Sequence, residues 1–246
     1  MFKRLKVSSV LLFSVIILFS AEAICEEKEK GDFRGYFMVG ASSLDIDDMN
    51  ERLGEKGYTE FSDSFASFGG GGFVKVSDRV MLGLEGQMFA GGVETSVIGS
   101  DNYSSRIIGG YGFFNTGYLI HSDDHLDIYP LVGIGFGAMQ IKIGQTSFDK
   151  VLDTHQNVQY LNSYSFLLNA AIGADYKIKL SDNESQKKYF VIGLRGGYAF
   201  SPFDSDWYQD EFKLTGGPNG GVNGPYVCLT LGVAGVFSLK QVKGIF

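Results

Sequence analysis

Two residues of opposite charge interrupt stretches of sequence that are otherwise apolar or small. Glu85 follows the run VMLGL at 80–84, and Arg195 follows VIGL at 191–194. In such surroundings a carboxylate and a guanidinium can form an ion pair or gate a passage. Burying either charge alone costs several kcal/mol, so we expect the two to pair in a structural role whatever the protein does. The gate is the alternative, and it predicts that removing Glu85 opens the interior.

Three more charged residues, Arg34, Asp175 and Lys177, stand among apolar neighbours, and we expect them to extend the same network.

The acidic segment 45–63 offers oxygen ligands for a cation. It fails the pattern of a calcium-binding loop, because its fifth and sixth positions hold Met and Asn instead of an oxygen ligand and glycine. The sequence therefore predicts no metal site and no catalytic residue among these charges.

Eight segments must position these side chains, and in each of them apolar residues alternate with small or polar ones. This alternation has the period of a β-strand, and no segment shows sustained helical spacing. The segments are 33–43, 65–76, 80–92, 106–120, 126–143, 163–180, 189–203 and 225–239. In the fifth, Gln140 and Lys142 fall on the apolar face, which a bulge near Ala138 or a strand leaving lipid would explain.

The connections between these segments alternate in length. The long ones are 44–64, 93–105, 144–162 and 204–224, and the short ones are 77–79, 121–125 and 181–188. Outer-membrane barrels have this asymmetry, with short periplasmic turns and longer external loops. In lipid every backbone donor must be paired, so the sheet must close. We therefore predict an all-β fold, an eight-stranded antiparallel up-and-down transmembrane β-barrel filled by its own side chains.

Composition excludes several classes of function. Glycine accounts for 34 of 246 residues, yet glycine with the 4 prolines stays below the share typical of disorder. The net charge of −7 and the pI of about 5.0 argue against a nucleic-acid partner. The run GIGFG at 133–137 lies inside an apolar segment and opens no helix, so we predict no dinucleotide cofactor.

The first 23 residues have the three parts of a secretory signal peptide. Three basic residues precede an apolar run, and Ala21 and Ala23 stand at the positions that a signal peptidase reads. We expect export and cleavage after Ala23. The remaining 24–246 form the barrel domain, in which 24–32 is an N-terminal periplasmic segment.

The two cysteines, Cys25 and Cys228, leave two interpretations open. In an oxidising compartment they could form a disulfide. Cys25 could instead be lipidated, but Glu22 and Ile24 differ from the lipoprotein pattern of an aliphatic residue three before the cysteine and a small one directly before it.

The chain resembles the small outer-membrane β-barrel superfamily, the OmpA-transmembrane and OmpX-like group. The stretch VIGLRGGYAFSP at 191–202 is similar to the penultimate strand of such proteins. The resemblance implies the cell outer membrane, its lipids and lipopolysaccharide as partners, and handling by the outer-membrane assembly machinery. Family members usually end on an aromatic residue that closes the last strand. Here 240–246 breaks the alternation before Phe246, so either this segment is a periplasmic tail or the strand runs further.

Some members of this group are lipid A deacylases or acyltransferases that use a histidine with a nearby serine. In the deacylases the histidine precedes the serine by two residues, and none of the three histidines here has that spacing. His121 and His125 fall in a predicted short turn, and His155 with Ser147 or Ser163 is the remaining combination. We therefore predict a protein that is not an enzyme, with lipid A modification as the alternative.

The sequence as a whole predicts a monomeric barrel with a structural or surface-interaction role through its external loops. It predicts a filled lumen without a wide pore, no cofactor and an unknown extracellular ligand. Trp207 and Tyr208 in the fourth long connection belong, with Phe203, to the outer aromatic belt, or the connection forms a ligand-contacting tip. Two more hypotheses compete with this role, namely a narrow pore and a soluble lipocalin-like carrier.

Overall fold

The computed structural model describes residues 30–147, 158–181, 187–219 and 221–238. Eight long strands build its wall: β1 (Lys30–Ser43), β2 (Ser64–Lys75), β3 (Val80–Ile98), β4 (Asp101–Tyr118), β6 (Leu126–Gln145), β7 (Val158–Ser181), β8 (Lys188–Phe200) and β11 (Gly224–Ser238). The shorter elements are α1 (Asp47–Glu55), β5 (His121–Ser122), β9 (Asp206–Gln209) and β10 (Phe212–Lys213). No helix in these described ranges is long and apolar enough to cross a membrane.

The wall closes on itself. Each of its strands pairs antiparallel with the next wall strand along the chain, and β11 pairs with β1. A circuit through directly paired residues that leaves β1 at Asp32 returns to it at Ser42, a stagger of ten residues. Closure requires such a stagger and tilts the strands. The predicted eight-stranded antiparallel up-and-down barrel is confirmed.

The side chains of each wall strand alternate between the lumen and the exterior. In β11, Val227 and Leu229 are exposed, whereas Cys228 and Thr230 are buried. Exposed large apolar side chains occur on every wall strand, among them Phe37, Phe68, Leu84, Ile108, Ile134, Ile172, Leu194 and Val227. A continuous apolar exterior of this kind suits the hydrocarbon of a bilayer.

The two ends of the barrel differ. We call the end with the short connections 77–79 and 121–125 the turn end, and the opposite one the loop end. At the loop end the predicted connection 93–105 is mostly not a loop, because β3 and β4 continue as a hairpin with only Gly99 and Ser100 between them. A bulge between Ala90 and Val93 shifts the register of β3 against β4. Because of this shift, the alternation of apolar and polar residues in the sequence is interrupted at the bulge.

The expected bulge near Ala138 is wrong. β6 keeps a continuous register with both β4 and β7 through this position. Gln140 and Lys142 lie on the outer face beyond the apolar residues, so the second explanation, a strand leaving lipid, is the one that fits.

The helix α1 is a second departure from the expectation based on sequence, which found no helical spacing. Ile46, Met49 and Leu53 recur three and four residues apart, and Ile46 and Met49 are buried. Asp47 and Asp48 lie in the first turn, where their negative charges interact favourably with the positive end of the helix dipole. A helix of nine residues is too short to stand out against the strand alternation around it.

Towards the loop end, beyond the last residue of β8, the short strand β9 replaces β8 as the partner of β7. β8 pairs with β7 from Leu168 onward, whereas β9 pairs with β7 over 161–164. Between these two ladders, residues 165–167 of β7 have a strand partner only on the β6 side within the described residues. A hydrogen bond of 2.7 Å between the hydroxyls of Ser165 and Ser205 spans this interval, which we call the seam.

Candidate functional site

The centre of the lumen holds a buried ion pair between β3 and β8. Glu85 Oε2 accepts a hydrogen bond from Arg195 Nη1, and Arg195 is only 1% exposed. The hydroxyl of Tyr36 donates to the same carboxylate oxygen at 3.0 Å. These two wall strands face each other across the ring, so the long side chains meet in its middle.

Aromatic rings surround the guanidinium of Arg195. Its Cζ lies 4.9 Å from the ring centre of Tyr36, 5.4 Å from that of Phe73 and 5.8 Å from that of Tyr129. Its Nη2 donates to the hydroxyl of Tyr129 at 3.2 Å. Cation–π contact and the carboxylate together compensate for the loss of water around the charge.

A second group of charges lies nearer the turn end. Arg34 pairs with both Asp127 and Asp175. Lys177 Nζ lies 2.8 Å from Asp127 Oδ1. The hydroxyl of Tyr129 donates to Asp175 at 2.7 Å, so Tyr129 connects this group to the central pair.

The structure thus brings all five charged residues singled out in the sequence into one connected network. Asp127 and Tyr129 were missed, although they alternate with the inward-facing Leu131 at the start of β6. Tyr36 was missed in the same way on β1. Alternation could have placed all three in the lumen, but which rings and carboxylates meet depends on the ten-residue stagger.

At the turn end a cavity of about 320 Å³ opens beside these charges. Its polar lining includes Arg34, Lys75, Asp127 and Lys177, and its inner wall includes Phe73. The ring of Phe73 also contacts the guanidinium of Arg195, so the same side chain lines the cavity and contacts the central pair.

Between the central pair and the loop end, the lumen is polar but uncharged. The hydroxyl of Tyr111 donates to Gln87 at 2.8 Å, and that of Tyr226 donates to Asn169 at 2.9 Å. Cys228 is buried here and forms no disulfide within the described residues, and its Sγ lies 3.9 Å from Met38 Sδ. Its possible disulfide partner, Cys25, is outside the described residues.

The loop end is closed by two segments, 44–63 and 201–223 apart from residue 220, which we call the cap. Leu44, Ile46, Met49 and Phe61 of the first segment are buried in one apolar cluster with Trp207 and Val222 of the second. The same cluster includes inward-facing wall residues such as Phe89, Ile107, Met139 and Leu167.

Hydrogen bonds fix the cap in place. The side-chain amide of Asn50 donates to the carbonyl of Phe61 and accepts from its N–H, both at 2.9 Å. The N–H of Asp45 donates to the carbonyl of Asn223 at 2.9 Å and joins the two segments. Burial also raises the pKa of the Tyr58 phenol within the cap.

Trp207 lies neither in the outer aromatic belt nor at a ligand-contacting tip. It is 3% exposed and its indole N–H donates to the carbonyl of Pro218 at 2.9 Å. It therefore lies inside the cap, instead of in an interfacial belt or at an exposed tip.

The histidines that the structure describes lie at the turn end. His121 Nε2 is 3.0 Å from Asp123 Oδ2, and both side chains are exposed. Asp123 Oδ1 also accepts the N–H groups of His125 and Leu126 at 2.7 Å, and these bonds lower the pKa of Asp123 to about 2. Ser122 is bonded to Asp127 instead of to a histidine.

A closed ring, an apolar exterior and a side-chain-filled lumen decide the class. The fold is that of the small outer-membrane β-barrels. The signal peptide with Ala21 and Ala23, His155 and the tail 240–246 lie outside the described residues of this barrel. So do residues 24–29 of the predicted periplasmic segment 24–32, whereas its last three residues, 30–32, belong to strand β1 and are paired in the wall. No group of metal-ligating side chains occurs among the residues that are described.

Comparisons with known proteins give only distant matches for the barrel. No family model matches the sequence and no curated protein does. Among solved structures it is similar to Ail, the attachment invasion locus protein of Yersinia pestis, with 12% identity, 85% of this chain and 99% of that chain covered, and a TM-score of 0.42. OprG from Pseudomonas aeruginosa has 13% identity, covers 85% and 96%, and has a TM-score of 0.35. The outer-membrane protease OmpT from Escherichia coli has 8% identity, covers 85% and 96%, and has a TM-score of 0.33.

Proposed function

We propose that this protein is a non-conducting barrel of the outer membrane with a structural or surface-interaction role carried by its cap. The observation that carries the proposal is the double closure of the lumen. The central ion pair blocks it at the level of Glu85 and Arg195, and the apolar cluster around Ile46 and Trp207 blocks it again at the loop end. A barrel built for passage would keep a polar path between its two ends.

The outer surface of the cap is suited to contact. Seven exposed carboxylates lie between residues 45 and 63, against two exposed cations, Arg52 and Lys56. Because potentials at an interface are complementary, the partner of this face is cationic. The folded cap presents these charges on α1 and its flanking segments instead of on mobile loops, which lowers the ordering cost of binding.

Orientation is tested by proteolysis of intact cells that express the full chain. Trypsin added outside should cut after Lys56 in the cap, and should cut after Arg79 at the turn end only once the outer membrane is opened. Mass spectrometry of the fragments identifies the sites. Cleavage after Arg79 in intact cells would reverse the topology and remove the cap from the surface.

Closure is tested in planar bilayers with the purified full-length barrel. We expect no discrete conductance steps from the wild type. Stable steps at low voltage would contradict the proposal and support the narrow pore instead. Steps that appear only in a folded Glu85→Ala variant would assign the central pair a gating role.

Lipid A modification is the alternative function. The one histidine in the predicted external connections, His155, is outside the described residues, so its geometry with Ser147 or Ser163 carries no argument either way. Activity on purified lipid A that a His155→Ala substitution abolishes would establish it. No change in lipid A after incubation with the wild-type barrel would leave the surface role.

A further inference from the structure

A groove of about 810 Å³ runs along the outer face of the barrel across β3, β4 and β6. Its sides are exposed apolar side chains, with Met88, Ile108 and Phe136 at 60%, 41% and 72% exposure. Its floor is backbone, because Gly86, Gly112 and Gly110 lie between these side chains.

Internal packing does not explain two of these glycines. Gly86 and Gly112 are directly paired across β3 and β4, and a Cβ on either would meet its nearest atom at 3.7 and 3.6 Å, which is ordinary contact. Glycine weakens a strand interior, and it often marks a place where a ligand approaches the backbone closely. The two positions therefore keep a groove open that the barrel itself does not need.

Two cations stand at the loop-end rim of this groove. Arg106 on β4 and Lys142 on β6 are directly paired, and both are exposed on the outer face. Like charges directly opposite each other in a sheet are destabilising. Within the described residues no carboxylate forms an ion pair with either of them. Lys142 instead lies 5.8 Å from the ring centre of Tyr160.

The cations and the groove are aligned along the same two strands. Moving away from the Arg106–Lys142 pair, the next outward pairs are Ile108 with Gln140, Gly110 with Ala138, and Gly112 with Phe136. From the loop end towards the turn end, the surface therefore presents two cations, then side-chain amide groups, and then the apolar channel. Gln140 and Asn162, bonded to each other at 2.7 Å, supply polar atoms at the junction.

We propose that this surface is a binding site for one lipid A molecule of the outer leaflet. A phosphate group lies between Arg106 and Lys142, and an acyl chain occupies the channel over Gly86 and Gly112. The phosphate relieves the repulsion between the cations, and the channel accepts a chain that a side chain would otherwise exclude. The site depends on insertion in the outer membrane, but it does not depend on what the cap binds.

The same charges argue against a second copy of the barrel as the occupant. A two-fold dimer places the same patch of both subunits in contact. Arg106 and Lys142 would then face their own equivalents at the edge of the apolar belt, without a carboxylate to compensate. A lipid phosphate is the partner whose charge fits.

The test uses the purified full-length barrel, folded in detergent and titrated with purified lipid A, with bound lipid counted by native mass spectrometry. We expect one lipid A per barrel and a much weaker response to phosphatidylglycerol. Arg106→Gln with Lys142→Gln should weaken binding about tenfold, since charge-assisted contacts to phosphate are lost. Gly86→Leu with Gly112→Leu should weaken it by a similar factor through filling of the channel.

Two matched controls separate the site from general effects. Gly196→Leu adds the same side chain at an outward glycine of β8, where a Cβ also has room, its nearest atom being 3.8 Å away. Arg79→Gln removes an exposed cation at the turn end. Both should bind lipid A as the wild type does, and gel mobility with and without heating checks folding of every variant.

Three results would overturn the proposal. One is equal binding of lipid A by the wild type and the Arg106/Lys142 variant, which alters only exposed side chains and so remains decisive if the leucine pair fails to fold. Another is equal binding of phosphatidylglycerol and lipid A, which would make the site a general phospholipid contact. The last is a wild-type dimer that becomes monomeric with the leucine pair, which would make the groove an interface between copies.

Discussion

The two halves of the lumen are filled by opposite chemistry. Towards the turn end, charged groups connect Arg34, Asp127 and Asp175 through Tyr129 to the central pair. Towards the loop end, the filling is an apolar cluster that joins the wall to the cap. The first half depends on mutual compensation of charge, and the second on close packing.

This difference shows that the two halves close the same narrow barrel and have different roles. Charges within the membrane-spanning wall fix which side chains meet, because each requires its partner. The apolar half couples the cap to the wall without fixed pairs, as a globular core does. We therefore expect substitutions in the two halves to differ in size, in additivity and in the part of the molecule that they affect.

The largest effect should come from Glu85→Leu. It leaves the guanidinium of Arg195 buried without its carboxylate and should destabilise the barrel by about 4 kcal/mol. Urea unfolding of the barrel in lipid vesicles, followed by circular dichroism, measures the loss. The control is Glu85→Leu combined with Arg195→Met, which should recover most of it. A double variant as unstable as the single one would mean that the pair is not the source of the effect.

In the apolar half, Leu167→Ala should cost about 3 kcal/mol through the cavity that it leaves. Leu167 is fully buried, whereas the next residue, Leu168, faces outward. Leu168→Ala removes the same atoms from the lipid side and should cost clearly less in the same unfolding assay. Equal losses would show that the cluster is not packed as tightly as a core.

A smaller effect is expected within the cap. Asn50→Ala removes both hydrogen bonds to the backbone of Phe61 and should destabilise the cap by about 1–2 kcal/mol. The only tryptophan, Trp207, lies in the cap, so its fluorescence reports the cap separately from the dichroism of the wall. Asn102→Ala, at an exposed asparagine whose backbone carbonyl accepts from Thr146 and is unaffected by the substitution, serves as the control. If Asn50→Ala shifts the dichroism transition of the wall by as much as the fluorescence transition of the cap, the cap and the wall unfold as one unit.

The smallest effect concerns acid stability at the turn end. The folded pKa of Asp123 is lowered from 3.8 to about 2, so its contribution is present above the unfolded value and is lost as pH falls towards 2. Asp123→Asn should flatten the dependence of unfolding on pH between these values, and Asp124→Asn should leave it unchanged. An unaltered profile in the Asp123 variant would assign the acid sensitivity to other groups.

Much of the wall could be predicted from the sequence, because strand alternation in lipid is strict. Val227, Leu229 and their neighbours mark the lipid face of β11, and the same period places Glu85 and Arg195 inside. The length of the β3–β4 hairpin could not be predicted in this way. The bulge between Ala90 and Val93 shifts the register, so the alternation that marks the two strands in the sequence is interrupted there.

The cap was the least predictable part. Its core residues Leu44, Ile46 and Phe61 stand among acidic and polar neighbours, and their burial depends on contact with Trp207 from a segment far along the chain. Single-segment patterns do not contain such a contact. For the same reason, Tyr129 could be placed in the lumen from its alternation, but its link between Asp175 and Arg195 could not be anticipated.

The seam in β7 has a consequence for how the barrel moves. In the middle of the ring each wall strand is held by hydrogen-bonded neighbours on both sides, so opening it requires breaking two ladders. At residues 165–167 one ladder and the Ser165–Ser205 hydroxyl contact remain. Amide hydrogen exchange should therefore be faster at this interval than in the neighbouring residues of β7 that are paired on both sides, and sideways fraying of β7 away from β8 would begin there.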